Sequence, residues 1–350
     1  MSSNSKLANR LISGTFIQLD HWCDLEGERF QKEMRAMKPE HWLRMLKDMY
    51  DIGIETLIFQ QGIDCRNGWG NPRAYYPSKH WEAPKWLHAD NYSAIVDAAD
   101  KMGMKIYHSI GTMFTEDPYL KTAEVLEKTK IIITELLELY GDRPSFGGWY
   151  WPHEYPPSTL AGRESLKRMV PEIRKIYDCE LLIAPNADRG ITSAELHDID
   201  IDIIAYQDTV GLGVAPDKFG RFAMADRHES LHRLPYMFQR LKFAHDGWHS
   251  PDATKVDYWN YYTRKRGRTA IWNDLEIWEF DSRGRLFSTE LSRIVAQLDL
   301  TAPYVEKQVI YQYPGLMCHP DHPLHVGGER AATLYEDYAR YRDSLLKEEQ

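Results

Sequence analysis

Eight short segments rich in β-forming residues alternate with helical segments along the chain, and this alternation constrains the fold more than any other feature. Connections long enough to hold a helix are typical of parallel strands, because a tight hairpin joins only antiparallel ones. The sequence therefore predicts a parallel sheet. Its strands are expected within residues 12–19, 53–62, 104–111, 146–155, 180–188, 201–211, 269–280 and 308–317.

The ends of these strands distinguish a closed barrel from an open, doubly wound sheet. Polar residues follow nearly all eight strands, whereas an open sheet needs them only at its switch point, and no GxGxxG sequence follows the first strand. A barrel collects all eight carboxyl ends at one mouth, so we predict a single α/β domain with the (β/α)8 TIM-barrel fold. We assign residues 1–11 to a polar tail, 12–350 to the catalytic barrel and 229–264 to a helical insertion between strands six and seven.

Proline and glycine mark the expected helix boundaries. Pro39 stands at the first turn of one predicted helix and Pro118 at that of another. Gly53, Gly103 and Gly141 stand where helices should end, because glycine readily adopts the left-handed conformation that closes a helix. The remaining helices are expected near residues 158–177, 194–197, 289–298 and 330–346.

Charge and hydropathy limit the partners of the chain. Its formal net charge is −9, which argues against nucleic acid or an anionic membrane surface as a partner. The first residues lack the apolar region of a signal peptide, and no run is long enough to span a bilayer. The four cysteines are scattered without a CxxC pair, as expected of reduced thiols in the cytosol. We expect a cytoplasmic protein without cofactors and leave the oligomeric state open, a homo-oligomer included.

The segment FGGWYWPHEY, residues 146–155, is the most informative single stretch. It begins as a strand and ends in a proline turn, so Glu154 is expected at the strand end beside several aromatic rings. Partial desolvation among aromatic rings favours a neutral carboxyl group, which suits a general acid. The alternative is a strand of core aromatics followed by an exposed glutamate.

Strand seven carries two further acidic residues. Alternation along WNDLE predicts that Trp272, Asp274 and Glu276 face the barrel interior, opposite Ile271 and Leu275. Inward carboxylates are costly unless they are paired or used. A salt bridge to a neighbouring strand is the structural explanation, but few basic residues stand at the predicted strand ends.

Strands four and seven lie on opposite sides of the mouth of an eight-stranded barrel. Glu154 and Glu276 are therefore predicted to flank one bound sugar. Cleavage of a glycosidic bond needs one carboxylic acid to protonate the leaving oxygen and one carboxylate to attack the anomeric carbon or to activate water. We predict a glycoside hydrolase with Glu154 as general acid/base and Glu276 as nucleophile or base. Asp208 and Asp274 are alternative second carboxylates.

The other strand ends predict a hydrogen-bonding cup with aromatic walls that suits a small carbohydrate. Aromatic faces pack well on the C–H faces of sugars, and the scarcity of basic residues argues against a phosphate. The predicted polar contacts are Gln18, Asp20, Gln60, Gln61, His108, His153, Asn186, Gln207 and Asp208. The predicted walls are Trp22, Trp149, Trp151, Tyr206, Trp272 and Trp278.

Two other functions compete with hydrolysis. A metal-assisted sugar isomerase, epimerase or lyase would use His, Asp and Glu ligands, and CHPDHPLH holds Cys318, His319, His322 and His325. Its prolines place these side chains on an irregular loop, and no HExxH is present, so we predict no metal site. The other alternative is a barrel that binds a sugar without turnover.

Five stretches together resemble one known family. They are ISGTFIQLDHW, DIGIETLIFQ, FGGWYWPHEY, IIAYQDTVG and WNDLEIWEF, and the resemblance to the domain of unknown function 4434 family extends over about residues 12–345. It implies a glycosidase-like TIM barrel, found mostly in bacteria, with a catalytic glutamate at Glu154 and acidic residues at Glu276 and Asp274. The family usually has a small or acidic residue where His153 stands, and many relatives are exported.

Overall fold

A closed barrel of eight parallel strands forms the centre of the protein in the computed structural model. Each strand pairs with the next one along the chain, and the last pairs with the first. The prediction of a TIM barrel is therefore confirmed. The strands are β1 (Ile12–Ile17), β2 (Thr56–Phe59), β3 (Lys105–Ser109), β4 (Phe146–Trp151), β5 (Glu180–Ile183), β6 (Ile203–Gln207), β7 (Ala270–Glu276) and β8 (Lys307–Tyr311).

The structure describes nine ranges of the chain. They are residues 9–64, 72–111, 118–154, 159–185, 199–216, 222–224, 227–246, 263–264 and 267–348. The helix predicted at residues 194–197 and the second half of the predicted insertion, residues 247–262, lie outside these ranges.

Helices alternate with the strands in the described part of the chain. They are α1 (Gln31–Arg35), α2 (Pro39–Asp51), α3 (Asn91–Met102), α4 (Thr122–Tyr140), α5 (Leu160–Ile176), α6 (Arg227–Asp246), α7 (Leu291–Thr301) and α8 (Gly328–Glu348). The helix α6 confirms a helical insertion between β6 and β7. Pro118 does not open α4 as predicted, because residues 118–120 form a turn before it. None of the described helices is long and apolar enough to cross a membrane.

Short antiparallel hairpins extend the connections between strands and helices. Ile63–Asp64 pairs with Arg73–Ala74, and Val214–Pro216 pairs with Phe222–Met224. Thr263–Arg264 pairs with Gly267–Arg268. After β7, Trp278–Phe280 pairs with Leu286–Ser288 in what we call the β7 hairpin.

Side chains of each strand alternate between the barrel interior and the layer beneath the helices. The interior cluster includes Phe16, Ile58, Tyr107, Tyr150 and Trp272. The opposite faces join a much larger cluster with the apolar sides of the helices. The parity of a residue within its strand therefore decides whether its side chain can reach the mouth of the barrel.

A β-bulge sets this parity in β4. Ile106 is opposite Phe146, but the next residue, Tyr107, is opposite Gly148, so Gly147 is an extra residue in the strand. Gly148 has a φ of 150°, and a Cβ there would overlap the carbonyl oxygen of Glu180, so only glycine fits. The bulge reverses which of the following side chains face inward.

Ion pairs join the β7 hairpin to the turn that follows β1. This turn is a short 3₁₀ helix, Glu26–Arg29. Asp281 in the hairpin accepts a hydrogen bond from Arg29 at 2.6 Å and another from Arg285 at 2.8 Å. Arg285 also lies 3.4 Å from Glu28. We call these contacts the rim ion pairs.

Candidate active site

A pocket of about 230 Å³ lies at the carboxyl ends of the barrel strands. Its walls come from β6, β7 and β8 and from the loops after β1, β4, β6 and β7. The described lining residues are Trp22, Glu26, Glu154, Gln207, Leu212, Asp274, Glu276, Trp278, Phe280, Leu286 and Tyr311. Glu154 and Glu276, which are far apart in the sequence, thus share one pocket.

Glu154 stands three residues beyond the end of β4 and is half-buried at the pocket wall. The amides of Gln207 and Gln60 hydrogen-bond its carboxyl group, which favours the ionised form. Burial opposes them and, with a smaller effect from the charge of Glu26, raises the pKa of Glu154 to about 7. Glu154 can therefore hold a proton near neutral pH.

Glu276 is the last residue of β7, and its carboxyl group is fixed by backbone donors. Its Oε2 accepts a hydrogen bond from the N–H of Leu212 at 2.7 Å. Arg293 donates hydrogen bonds to the carbonyl oxygens of Glu276 and Trp278, both at 2.8 Å, and so fixes the end of the strand. Burial and the nearby charge of Asp208 raise the pKa of Glu276 to about 8.

Asp208 lies beneath Glu276, outside the pocket lining. Its Oδ1 accepts the N–H groups of Val210 at 3.1 Å and Glu276 at 3.3 Å, and its Oδ2 accepts the Gln297 amide at 2.6 Å. The residue is 2% exposed, and burial raises its pKa to about 6. Asp208 therefore fixes the backbone of Glu276 and raises the pKa of its carboxyl group, but it is not placed to touch a ligand in the pocket.

Asp274 lies two residues before Glu276 and also faces the pocket. It is 2% exposed, and its Oδ1 has no hydrogen-bond partner among the described residues. Burial, followed by the charges of Glu276 and Glu154, raises its pKa well above the usual range. Asp274 therefore lies deeper along β7 than Glu276, and its burial favours the neutral form.

The loop after β1 contributes a carboxyl group that sequence reasoning missed. Glu26 is 22% exposed, and its Oε2 lies 3.9 Å from Nε2 of His21. Burial raises the pKa of Glu26 to about 7. The Tyr311 hydroxyl lies 3.3 Å from the same His21 nitrogen and accepts a hydrogen bond from Gln18 at 2.5 Å. No periodic pattern marks Glu26, because it stands in a short 3₁₀ turn.

Apolar side chains cover the wall on the side of β1 and β7. They are Trp22, Leu212, Trp278, Phe280 and Leu286. Three of the five come from the β7 hairpin. The predicted positions of Trp22 and Trp278 at the mouth agree with this arrangement, and their contact with sugar stays a prediction.

The structure corrects the predicted positions of four other residues. Trp149 and Trp151 are 0% and 2% exposed and lie in the layer beneath the helices, because the bulge at Gly147 turns Tyr150 inward instead. Tyr206 belongs to the same outer layer. His108 also faces outward, where its Nδ1 bonds the Tyr92 hydroxyl at 2.8 Å and its ring stacks on Tyr140.

Further predicted contacts are placed away from the pocket lining. Trp272 faces the interior as expected, but it packs on Tyr107 deeper in the barrel. Asp20 is buried in an ion pair with Arg35 at 2.9 Å. The amide of Gln61 bonds the Asp20 carbonyl and the Tyr75 hydroxyl.

His153 and Gln60 lie beside the pocket rather than in its lining. The buried ring of His153 packs 4.5 Å from that of Trp151, and Gln60 reaches the site through its hydrogen bond to Glu154. Asn186 lies outside the described residues.

The histidine loop packs against helices. His319 contacts Arg44 and the ring of Tyr335, and Nε2 of His322 lies 3.2 Å from the His41 carbonyl oxygen. Across the described ranges, no three His, Cys, Asp or Glu side chains are grouped so that they could hold a metal ion.

Comparisons with known proteins agree with this architecture. The sequence model of the domain of unknown function DUF4434 matches residues 12–323. No curated protein matches the chain significantly.

Among solved structures, one similar fold is that of a "putative alpha-L-fucosidase" from Bacteroides thetaiotaomicron, with a TM-score of 0.63, 19% identity and coverage of 95% of this chain and 93% of that one. The family 1 β-glucosidase of Thermotoga maritima has a TM-score of 0.52 and 10% identity, and 96% and 98% of the two chains are covered. A GH2 β-galacturonidase from Eisenbergiella tayi has a TM-score of 0.51 and 12% identity; 95% of this chain matches about half, 51%, of that enzyme. At these identities the likeness establishes a glycosidase-like barrel fold.

Proposed function

The chain belongs to the DUF4434 family, and on that premise we propose that it is a glycoside hydrolase whose two working carboxyl groups are Glu154 and Glu276. The observation that carries this proposal is their position in one pocket with an aromatic wall, one after β4 and the other at the end of β7. The glycosidase-like fold supports the same chemistry.

Glu154 is the general acid of this proposal. Protonation of the leaving oxygen requires a carboxyl group that keeps its proton near neutral pH, and the pKa of Glu154 is raised to about 7. If Glu276 acts as nucleophile, the ionised Glu154 then accepts a proton from the water that hydrolyses the glycosyl-enzyme intermediate; if Glu276 acts as base, it takes that proton itself.

Glu276 is the nucleophile or the base that activates water. Its Oε2 accepts a backbone N–H at 2.7 Å, and this bond stabilises the ionised form that either role requires. Burial and Asp208 oppose ionisation and raise the pKa of Glu276 to about 8. Because neighbouring carboxyl groups titrate as a set, we expect a bell-shaped dependence of kcat/KM on pH, with both limbs near pH 7–8.

The experiment is a hydrolysis screen of the full chain with aryl glycosides and oligosaccharides of both anomeric configurations. We expect turnover of at least one compound, and its loss in the double variant Glu154→Gln, Glu276→Gln. Tight binding without turnover would contradict the proposal. Activity that a chelator abolishes and a divalent ion restores would indicate metal-assisted chemistry instead.

A further inference from the structure

Glu26 is not used by the proposed reaction. It lies in the pocket with Glu154 and Glu276, and within 4 Å its only ionisable partner among the described residues is His21. Ionised carboxylates of a buried site usually face a cation or a set of hydrogen-bond donors. Glu26 thus has no Lys or Arg beside it in the described pocket lining, and a cationic ligand could supply the missing charge.

Asp274 is a second acidic group that lines the pocket, and one of its oxygens lacks a hydrogen-bond partner within the described ranges. This oxygen is Oδ1, which is buried. Glu154 and Glu276 already accept hydrogen bonds from described protein groups, whereas Oδ1 of Asp274 does not. A ligand with several N–H and O–H donors would satisfy it.

The remaining wall also favours a positive charge. The rings of Trp22, Trp278, Phe280 and Tyr311 line the pocket, and the faces of such rings attract cations. The described lining contains no Lys or Arg that could neutralise the four carboxyl groups. Among the described residues the same carboxyl groups do not form a metal-binding cluster, so we consider an organic cation.

We propose that the pocket binds a sugar carrying a protonated primary amine, with Glu26 as the counter-ion of the ammonium group. The inference rests on the proposed glycosidase function, which it narrows to glycosides of amino sugars. The ammonium donates charge-assisted hydrogen bonds to Glu26, and the ring hydroxyl groups donate to Asp274. An N-acetylated or neutral sugar of the same shape lacks the charge that Glu26 recognises.

The test is calorimetric titration of the full chain near pH 7 with methyl glycosides of glucosamine, galactosamine and mannosamine, in both anomeric forms. Each is compared with its neutral parent sugar and its N-acetyl derivative. At least one amine is expected to bind roughly tenfold or more tightly than its neutral parent, as for a hydrogen bond to a charged group. In Glu26→Gln this preference should fall to roughly threefold or less.

Glu28→Gln is the matched control. Glu28 stands in the same 3₁₀ turn, is 54% exposed and faces Arg285 rather than the pocket, so its variant should keep the preference for the amine. An amine that binds no more tightly than its neutral parent, or a preference that survives Glu26→Gln, overturns the inference. If neutral glycosides are hydrolysed without any preference for amines, the inference fails and the glycosidase function stands. If no glycoside binds or reacts, both fail.

Discussion

The two ends of β6 carry one aspartate each, and the pair contrasts the base of the barrel with its mouth. Asp202, just before the strand, is bonded by Arg174 at 2.6 Å and by the N–H of Leu181 at 2.7 Å. Asp208, just after it, accepts hydrogen bonds from described donors that are all neutral. Both residues are almost fully buried. At the base the buried carboxylate is hydrogen-bonded to a cation, whereas Asp208 at the mouth is not, although the charge of nearby Arg293 acts on it.

Two other charged groups near the base have hydrogen-bond or ring partners as well, although these partners are neutral. Near the base, Lys307 donates to Thr56 at 2.7 Å and lies 4.8 Å over the ring of Trp272, while the Tyr107 hydroxyl donates to Glu180 at 2.6 Å. At the mouth, Glu154, Asp274 and Glu276 all have raised pKa values. The comparison teaches that a bonded arginine, rather than burial, distinguishes the carboxylates of Asp202 and Asp20 from those of the pocket.

The largest effect is expected from removing the charge of Glu276. Because every bond cleavage needs this group, Glu276→Gln should lose roughly 10⁴-fold or more in kcat on all substrates. Glu180→Gln at the base is the control, and its kcat should stay within roughly threefold of wild type. Steady-state kinetics on the best substrate of the screen measures both. A similar loss in the two variants would remove the distinction between mouth and base.

Glu154→Gln should have a large effect that depends on the substrate. A good leaving group departs without protonation, so the loss should be roughly 10²- to 10⁴-fold on natural glycosides and much smaller on an activated aryl glycoside. The ratio of the two kcat/KM values is the measurement. Full activity of this variant on a natural glycoside would exclude Glu154 as the acid.

The base should depend on its ion pair for stability. Arg174→Ala leaves the buried Asp202 without its cation, which should lower the free energy of unfolding by about 3–5 kcal/mol. Asp208→Asn keeps an oxygen acceptor at the mouth and removes a desolvated charge, so its free energy of unfolding should change by about 1 kcal/mol or less. Urea unfolding at pH 7 measures the free energy of unfolding of both variants. Equal losses would contradict the difference between the base and the mouth of the barrel.

The smallest effect is a pH dependence of stability from the mouth. The pKa of Glu154 is raised on folding from 4.5 to about 7, so its contribution is fully present below pH 4.5 and is lost as the pH rises through 7. Glutamine does not ionise. Between pH 4.5 and 8, wild type should therefore lose about 1–3 kcal/mol of stability relative to Glu154→Gln. If the difference in free energy of unfolding between the two proteins is the same at both pH values, Glu154 is not desolvated.

The barrel fold and the position of Glu154 and Glu276 in one pocket could be predicted from the sequence. Strand–helix alternation is a repeated signal, and it places all strand ends at one mouth whatever the exact boundaries. The orientation of the β4 aromatics was not predictable in the same way. FGGWYW is aromatic on both faces, so no polar contrast reveals the inward side, and the bulge at Gly147 reverses the parity.

Glu26 illustrates the other limit. It belongs to a connection between β1 and α1, where neither a strand nor a helix period applies, and only the folded chain brings it to Glu154. Trp272 shows a third limit. Alternation along β7 predicted that its side chain faces the interior. Its depth in the barrel depends on the stagger of β7 against β8, where Trp272 is opposite Lys307.

The rim ion pairs have an evolutionary consequence. They tie the turn that carries Glu26 to the hairpin that carries Trp278, Phe280 and Leu286, while Glu154 lies on another part of the barrel. Homologues are thus expected to exchange or resize these two loops together, as one inherited unit, whereas the segment with Glu154 is retained. If ligand preference diverges among these homologues, substitutions in the loop after β1 should therefore correlate with substitutions in the loop after β7.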